Sequence, residues 1–410
     1  MEAIELFKSL NRDQRNTFLA CFLGWALDAL DFFLLTFVFS AVAQEFGKTV
    51  PEVAFASMLT LMMRPVGALL FGLLGDRFGR RVPLMIDIIF YSIIELLTAF
   101  SPNFTAFLLL RALFGIGMGG EWGLGASLAM ETLPAKARGL FSGILQQGYA
   151  FGFLLAALVY ALVFPHFGWR GLFVAGAAPA LLVLFIRARV PESHVWQRER
   201  GKAAAQAIPF SQTLRTHWRL FVYAILLMTA FNCVSHGTQD LYPTFLQKQR
   251  GLDVAQVRNV SVIYALGAIC GGTLIGSLSQ RWGRRRSIII AAGIGVLLIP
   301  AWMFSPSLML LIAGGFCMQF MVQGAWGVVP VHLNELSPPE LRGTFPGFAY
   351  QLGNLFAAPI AVVEAKLAEH FAGSTGSPSY STSLALVTLV VFVILIALAA
   401  VGRENRGIDF

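Results

Sequence analysis

The feature that most constrains this chain is a series of long apolar segments that recurs from residue 17 to residue 401. A helix needs about 20 predominantly apolar residues to cross a hydrocarbon core of roughly 30 Å. In lipid, each segment must also satisfy its own backbone polar groups, which a helix does. The sequence therefore predicts an all-α membrane protein with twelve transmembrane helices. The predicted spans are residues 17–44, 53–74, 82–100, 104–130, 139–164, 168–188, 218–246, 256–279, 287–304, 308–333, 343–368 and 382–401.

Charged residues are concentrated in the connections between these spans. Only 13% of the 410 residues are charged, and the net charge is +8. Arginine and lysine are frequent in the connections on one side of the membrane and sparse on the other, so the positive-inside rule predicts that both termini are cytoplasmic. We therefore expect a multi-pass protein of the cell inner (plasma) membrane, with the lipid bilayer as a partner and no nucleic acid.

Two motifs invite an enzymatic interpretation. "GIGMGG" at 115–120 fits G-x-G-x-x-G, but that dinucleotide fingerprint requires a preceding strand, whereas glycines inside an apolar span serve close helix packing. His236 and Asp240 have no nucleophile, oxyanion donors or metal ligands beside them in the sequence. The four cysteines lie within spans and form no Cys-x-x-Cys motif. We expect no enzyme, no cofactor, no metal site and four free thiols.

An internal repeat divides the chain. "GLLGDRFGRR" at 72–81 matches "GSLSQRWGRR" at 276–285, and "ETLPAKARG" at 131–139 matches "ELSPPELRG" at 335–343. Both pairs are separated by 204 residues, so one shift aligns the two halves. The sequence predicts an N-terminal six-helix bundle over residues 1–188, a cytoplasmic linker over 189–217 and a C-terminal six-helix bundle over 218–410.

These motifs resemble those of the major facilitator superfamily. "GLLGDRFGRR" is similar to the family's loop between helices 2 and 3, and "RALFGIGMGG" at 111–120 to its helix 4 pattern. "VPESHVW" at 190–196 and "GRENRG" at 402–407 are similar to the acidic ends of helices 6 and 12 in its organic-solute branches. The resemblance covers essentially the whole chain. It implies a transporter whose binding site lies between two parallel repeats, near the middle of the membrane.

Charged residues in the repeated loops are predicted to control opening and closing, because ion pairs across helix ends can form in one conformation and break in another. Asp76 is expected to pair with Arg80 or Arg138, and Glu131 with Arg138 or Arg77. Gln280 stands where a symmetrical second loop would carry Asp, which weakens an ion pair there. Alternatively, the arginines only fix topology. The predicted gating residues are Asp76, Arg80, Glu131, Arg138, Glu335 and Arg342.

Several ionisable residues lie inside the predicted spans, where a charge costs at least about 2.5 to 3.5 kcal/mol on insertion scales and usually faces a cavity or a partner. For Asp87, Glu95 and Arg111 the favoured interpretation is an ion-pair network that holds the first half together. The remaining acidic residues and one histidine are candidates for proton coupling. These are Asp28, Asp31, Glu121, His236 and Asp240.

The stretch "NCVSHGTQDLYPT" at 232–244 places a row of polar residues in predicted span 7. Their spacing of i, i+3, i+4, i+7, i+8 and i+12 puts all of them on one helical face. The repeat places Asn232 opposite Asp28, so helices 1 and 7 are expected to frame a central cavity. The row consists of Asn232, Ser235, His236, Gln239, Asp240 and Thr244.

This row resembles the helix 7 pattern N-x-x-[ST]-H-x-x-[SQ]-D-x-x-x-T of the lactate and pyruvate proton symporters in the sialate:proton symporter family. "GWALDALDFF" at 24–33 is similar to that family's helix 1. The resemblance implies that the row serves substrate recognition or proton coupling, with a small organic anion and a proton as partners. The sialic acid branch shares the helix 1 signature, so sialic acid or another organic acid is the alternative substrate.

Arg64 lies near the middle of predicted span 2, and the repeat places Ala268 opposite it. An arginine can bind a carboxylate through two parallel hydrogen bonds, so Arg64 is predicted to bind the substrate. The alternative is a salt bridge to Asp28, Asp31 or Glu121. Further substrate contacts are expected from Asn232, Ser235, Gln239, Gln147, Tyr149, Gln351 and Asn354.

The sequence thus predicts proton-coupled symport of lactate or pyruvate by alternating access. Moving one charge against the membrane potential costs about 2.3 kcal/mol per 100 mV, and a co-transported proton cancels that charge. A monomer is expected because each half can bury against the other. A receptor-like sensor that binds without transporting stays open as an alternative.

Overall fold

The computed structural model describes residues 2–203, 210–372 and 377–408. The first helices are α1 Glu2–Ser9, α2 Arg12–Phe37, α3 Phe39–Phe46, α4 Val50–Phe78, α5 Arg81–Ala99, α6 Phe104–Thr132, α7 Arg138–Gln146, α8 Gly148–Ala175, α9 Ala180–Arg189 and α10 His194–Ala203. The others are α11 Phe210–Gln239, α12 Tyr242–Thr244, α13 Val254–Trp282, α14 Arg284–Met303, α15 Leu308–Trp326, α16 Val329–Leu336, α17 Phe345–Ala357, α18 Ile360–His370 and α19 Tyr380–Val401. A π-helix covers Phe245–Gln249, and a 3₁₀-helix covers Pro339–Leu341.

The helices confirm the predicted all-α architecture. Within the described residues, ten helical segments are long and apolar enough to cross a membrane. Predicted span 5 and the first residues of span 6 lie in one of them, where Gly168 interrupts the helix with a φ of 62° that favours glycine; the rest of span 6 is α9. Predicted span 11 is divided into α17 and α18, of 13 and 11 residues, each too short to cross alone. All twelve predicted spans therefore consist mainly of helix.

The 204-residue repeat recurs in the helix bounds. Helix α4 covers Val50–Phe78 and α13 covers Val254–Trp282, so both ends are separated by the same offset. Each begins with a capping box, formed by Thr49 and Glu52 in one and by Asp253 and Gln256 in the other. Reciprocal side-chain bonds of this kind satisfy the free N–H groups of a helix start. The same local chemistry thus begins the equivalent helices.

The predicted linker, residues 189–217, contains helix α10, and its residues 204–209 lie outside the described part of the chain. Helix α11 begins at Phe210 and is bent at His217, where φ is −109° and ψ is 17°. The bend coincides with the predicted start of span 7 at residue 218. The division into bundles of residues 1–188 and 218–410 stays a prediction.

The helices before and after α10, called here the first-half and second-half helices, meet mainly at one end of the molecule. This motif end is formed by residues 76–81, 131–138, 280–285 and 335–343. There α7 packs against α13, and α4 and α6 pack against α17. Small residues let backbones approach closely. A Cβ at Gly123 would lie 2.8 Å from the Cα of Gly347, and one at Gly143 would lie 2.4 Å from the carbonyl oxygen of Gly272.

The predicted continuous helix over 218–246 is wrong at its far end. Helix α11 ends at Gln239, and Asp240 and Leu241 form a bend before the short helix that contains Thr244. Pro243 explains the break, because its ring conflicts with the carbonyl of residue 239 and it has no N–H to donate. Asp240 still donates its backbone N–H to the His236 oxygen at 2.9 Å. It therefore keeps its place in the row, whereas Thr244 lies beyond the break.

Candidate functional site

The polar row of α11 passes from a buried to an open environment. Asn232 is 3% exposed and donates its amide to the carbonyl of Met228 in the preceding turn, at 2.8 Å. The side chains of His236 and Asp240 are 37% and 40% exposed. His236 Nδ1 lies 3.2 Å from an oxygen of Asp240. The row therefore presents the pair His236 and Asp240 in the part of the bundle that is remote from the motif end.

The row faces other helices through its amide and hydroxyl groups. Gln239 donates to Ser235 Oγ at 3.1 Å and to Gln319 Oε1 of α15 at 3.3 Å. Gln323, one turn further along α15, donates to the same hydroxyl at 3.4 Å. His236 lies within interaction range of the Asn354 amide of α17. These contacts turn the row toward α15 and α17 inside the bundle.

Arg64 lies on α4 and is 2% exposed. Its Nε and one terminal nitrogen have no hydrogen-bond partner among the described residues. The guanidinium carbon lies 6.0 Å from the centre of the Tyr350 ring, in cation–π range. Arg64 also lies within electrostatic range of His236 on α11 and of Asp28 on α2. It therefore contributes a buried positive charge between the first-half and second-half helices.

Of three predicted proton-coupling carboxyls, Asp28 and Glu121 lie within electrostatic range of this arginine, and Asp31 lies within range of Asp28 and Arg111. Asp28, Asp31 and Glu121 are fully buried, and none of their carboxyl oxygens has a hydrogen-bond partner within residues 2–203, 210–372 and 377–408. Glu121 lies against α2, where a Cβ at Gly24 would be 2.2 Å from its Oε1. Arg64 forms no salt bridge within 4.0 Å to any of the three among those residues. In this conformation Arg64 therefore does not form the salt bridge that was its alternative role.

The expected ion-pair network of the first half is only partly present. Arg111 pairs with Glu95, both are buried, and Arg111 also donates to the Thr98 hydroxyl at 3.2 Å. Asp87 is fully buried, but its carboxyl has no hydrogen-bond partner in the described part of the chain. Asp87 is therefore not a member of the pair, contrary to expectation.

The other predicted substrate contacts lie on α7, α8 and α17. Gln147 is the junction between α7 and α8, and a Cβ at Gly272 would lie 1.9 Å from its amide nitrogen. Tyr149 stacks on Trp25, with ring centres 5.4 Å apart. Gln351 is fully buried, and its side-chain amide has no hydrogen-bond partner among the described residues. Unsatisfied amide groups of this kind are costly unless something else bonds to them.

At the motif end, Arg80 joins both acidic residues of the first half. It lies 3.0 Å from Asp76 and 2.9 Å from Glu131. Burial alone would lower the pKa of the Arg80 guanidinium, but the carboxylates of Glu131 and Asp76 raise it above its ordinary value. Asp76 also accepts hydrogen bonds from the second half, from Gly343 N at 2.7 Å, Thr344 N at 3.1 Å and Thr344 Oγ1 at 2.6 Å. Asp76 therefore links the two halves in this conformation.

The remaining predicted gating residues make different contacts. Arg138 donates to the carbonyls of Met130 at 2.9 Å and Ile408 at 2.7 Å. The carbonyl of Arg342 accepts a bond from the Ser127 hydroxyl of the first half at 2.7 Å. All three contacts have a backbone carbonyl as the acceptor, so the type of the accepting residue does not predict them.

In the second half, Glu335 pairs with Arg284 at 2.9 Å. Gln280, which replaces the expected Asp, accepts a 2.9 Å bond from Arg284 and a 3.3 Å bond from the Gly139 N–H of the first half. The predicted loss of an ion pair at Gln280 is thus offset by a neutral hydrogen bond between the halves.

Sequence reasoning missed Glu364 of α18, as well as Gln319 and Gln323. Glu364 is fully buried, and neither carboxyl oxygen has a hydrogen-bond partner among the described residues. A Cβ at Gly237 would lie 3.0 Å from its Oε1, so the carboxyl lies against α11. The available signal was that Glu364 is an acidic residue inside predicted span 11, residues 343–368.

Comparison with known proteins gives a family that agrees with this architecture. The model of the Major Facilitator Superfamily matches residues 21–362 and 241–407 of this chain. The chain belongs to the major facilitator superfamily. It is therefore a multi-pass membrane protein of that family, and its relatives and structural neighbours are transporters.

Three relatives illustrate the range. The chain is 30% identical to a carboxylic acid transporter protein homolog of Saccharomyces cerevisiae, covering 95% of this chain and 68% of that protein. It is 31% identical to a probable 4-methylmuconolactone transporter of Cupriavidus pinatubonensis, over 98% and 93%. It is 26% identical to the sialic acid transporter NanX of Escherichia coli, over 98% and 96%.

Among solved structures, the fold is similar to that of the proton:xylose symporter XylE, with a TM-score of 0.76 and 20% sequence identity. The match covers 96% of this chain and 97% of the other. At that identity the likeness concerns the fold of this superfamily member alone.

Proposed function

We propose that this superfamily member is a proton-coupled symporter of small monocarboxylates such as lactate and pyruvate, working by alternating access. The observation that carries the proposal is Arg64, a buried guanidinium with unsatisfied nitrogens that lies within electrostatic range of the polar row on α11. A buried charge without a hydrogen-bonded partner is costly, so the site favours an anion. Relatives named as transporters of carboxylic and sialic acids support an organic acid as the substrate.

The substrate carboxylate binds Arg64 through two parallel hydrogen bonds, which its planar guanidinium favours. The amide of Gln351 on α17 and the amide of Asn232 on α11 supply contacts for a hydroxyl or keto group. Ser235, Gln239, Gln147, Tyr149 and Asn354 complete the proposed set. The Tyr350 ring, whose centre lies 6.0 Å from the Arg64 guanidinium carbon, packs against the apolar body of the acid.

The proton neutralises the substrate's charge. Asp240 is the exposed member of the row and His236 lies 3.2 Å from it, and the two are proposed to receive the proton first. Asp28, Asp31 and Glu121 are proposed to hold or relay it near Arg64. A gradient of one pH unit then supplies about 1.4 kcal/mol for uptake, and the loaded carrier carries no net charge across the membrane potential.

The two bundles, residues 1–188 and 218–410, are proposed to rock about this site as a monomer. From the basic connections we infer that the motif end and both termini lie in the cytoplasm of a cell whose inner or plasma membrane holds the protein. In this assignment the conformation described above is closed toward the cytoplasm. Breaking the hydrogen bonds to Asp76 is the step that opens the cytoplasmic side.

A second candidate is transport of sialic acid or another larger organic acid, which the 26% identity to a sialic acid transporter favours. Such a substrate also has a carboxylate for Arg64, so the arginine does not distinguish the two. Exchange measured with acids of different size does, because a nine-carbon sugar acid needs far more room than lactate.

Counterflow in proteoliposomes tests both candidates. Vesicles are loaded with unlabelled lactate, pyruvate, acetate or sialic acid and diluted into a trace of each labelled acid, with and without an imposed pH gradient. We expect lactate and pyruvate to exchange, and an inward proton gradient to drive their net uptake. Exchange of sialic acid alone would favour the second candidate, and a requirement for sodium would refute proton coupling.

A further inference from the structure

Glu364 is a buried carboxyl that the proposed mechanism does not use. It lies in the middle of α18, is fully buried, and has no hydrogen-bond partner for either carboxyl oxygen within the described residues. An isolated carboxylate in such a place is far more costly than a neutral carboxylic acid. Glu364 is therefore a site that holds a proton inside the bundle.

Among the described residues, no positive charge is in electrostatic contact with Glu364. Helices α11 and α19 pack against α18. The titratable groups of α11 in electrostatic contact with Glu364 are Cys233 and Asp240. In α19 the only titratable residue is Tyr380, its first, and the nearest polar contact is the Ser383 hydroxyl, which donates to the backbone carbonyl of Glu364 at 2.6 Å.

Asp240 and Glu364 are the two ends of a short route from water to the interior. The side chain of Asp240 is 40% exposed, whereas Glu364 is sealed. The Glu364 carboxyl lies against Gly237, three residues before Asp240 and thus on the same side of α11. Like charges repel strongly where water is excluded, so a proton shared between the two carboxyls lowers the electrostatic energy of the pair.

We propose that Glu364 is the inner member of a two-carboxyl proton site, in which Asp240 exchanges a proton with the open side and Glu364 stores it. A proton from the medium binds the Asp240 carboxylate and moves to the Glu364 carboxylate. Asp240 is then ionised again and pairs with His236, while Glu364 is neutral. The proton leaves by the reverse transfer once the site opens to the other side, so one proton enters and one leaves in each cycle.

This inference rests on the proposed proton-coupled transport, and Glu364→Gln tests it, because glutamine keeps the shape of the neutral acid but cannot release a proton. The matched control is Glu369→Gln, an exposed position on the same helix. Both variants and the wild type are reconstituted, and lactate counterflow is compared with net uptake driven by a pH gradient. An internal pH-sensitive dye gives the number of protons per lactate.

A gradient of one pH unit supports about tenfold accumulation in a one-proton symporter. We expect E369Q to reach that value and E364Q to show counterflow but no accumulation and no lactate-dependent acidification of the vesicle interior. Accumulation by E364Q equal to that of the wild type would overturn the inference, because a purely structural glutamate has no effect on coupling. If neither the wild type nor either variant exchanges any of the acids, the proposed function is refuted instead.

A spectroscopic measurement separates these failures and does not depend on transport. The infrared carbonyl band of a protonated carboxylic acid is recorded for the wild type, E364Q and D240N. A band that is absent in E364Q and shifted in D240N supports the shared proton. If E364Q does not fold, a wild-type band that D240N leaves unshifted would contradict the pair.

Discussion

Replacing Thr344 by valine tests whether hydrogen bonds to Asp76 hold the motif end closed. Thr344 is fully buried and donates its hydroxyl to an Asp76 oxygen at 2.6 Å across the contact between the halves. Valine keeps the shape of threonine but removes this donor. The backbone bonds from Gly343 and Thr344 to the same carboxylate remain. The substitution therefore removes one of three bonds and nothing else from this contact.

The size of the effect follows from the charge on Asp76. A hydrogen bond to a charged group contributes about 1.5 to 3 kcal/mol. This bond exists only when the motif end is closed, so its loss raises the free energy of that conformation alone. A difference of 1.4 kcal/mol is a tenfold change in an equilibrium constant, and T344V should shift the equilibrium toward the open motif end by roughly 10- to 150-fold.

Spin labels report this equilibrium. Lys136 and Glu340 are exposed, belong to the two halves and lie at the motif end, so distances between labels there distinguish closed from open. Thr132→Val is the control, because the Thr132 hydroxyl bonds only to Leu128 of its own helix among the described residues, at 2.7 Å. We expect a longer-distance population in T344V but not in T132V. Identical distance distributions in both would refute the role of the Asp76 contact.

Four further single substitutions and one double variant test the site and the buried pair of Arg111 and Glu95. Arg64→Ala should weaken lactate binding by at least about 10- to 150-fold, the loss of one charged hydrogen bond; unchanged affinity in calorimetry would remove Arg64 from the site. His236→Ala and Asp240→Asn should lose accumulation driven by a pH gradient and keep exchange, and unaltered pH-driven uptake in both would exclude their coupling role. Arg111→Met leaves Glu95 buried without its cation and should destabilise the detergent-solubilised protein by about 3 to 5 kcal/mol. The double variant with Glu95→Leu should recover most of that loss, and a stable single variant would contradict the argument.

The parts of the fold that depend on local periodicity could be predicted from the sequence. Long apolar segments fixed the twelve spans, and one repeated loop motif predicted helix bounds that recur 204 residues apart. Helix α11 ended earlier than predicted because its polar spacing was followed past Pro243, whose missing N–H and bulky ring end a helix. Pro243 was visible in the sequence, but the regular spacing of the polar row indicated a longer helix.

The features that depend on tertiary contacts could not be predicted from the sequence. Asp76 was expected to pair with an arginine, and it does pair with Arg80, but its cross-half partners include two backbone N–H groups that no residue type announces. Glu364 and Asp240 are 124 residues apart in the chain, so nothing in the spacing relates them. Asp87 was expected in an ion pair because acids and arginines are numerous nearby, yet helix packing gives Arg111 to Glu95 alone.

The glycines at the contact between the halves have a consequence for how quickly the carrier can turn over. Where Gly123 meets Gly347, and where Gly143 meets the carbonyl of Gly272, the main chain of one half lies directly against the main chain of the other. At these two points separation requires no side chain to change its rotamer, although the Gln147 amide lies beside Gly272 and must leave with its own half. The barrier at this surface comes from the few hydrogen bonds around it, and a single added methyl group would act as a wedge that favours the parted arrangement.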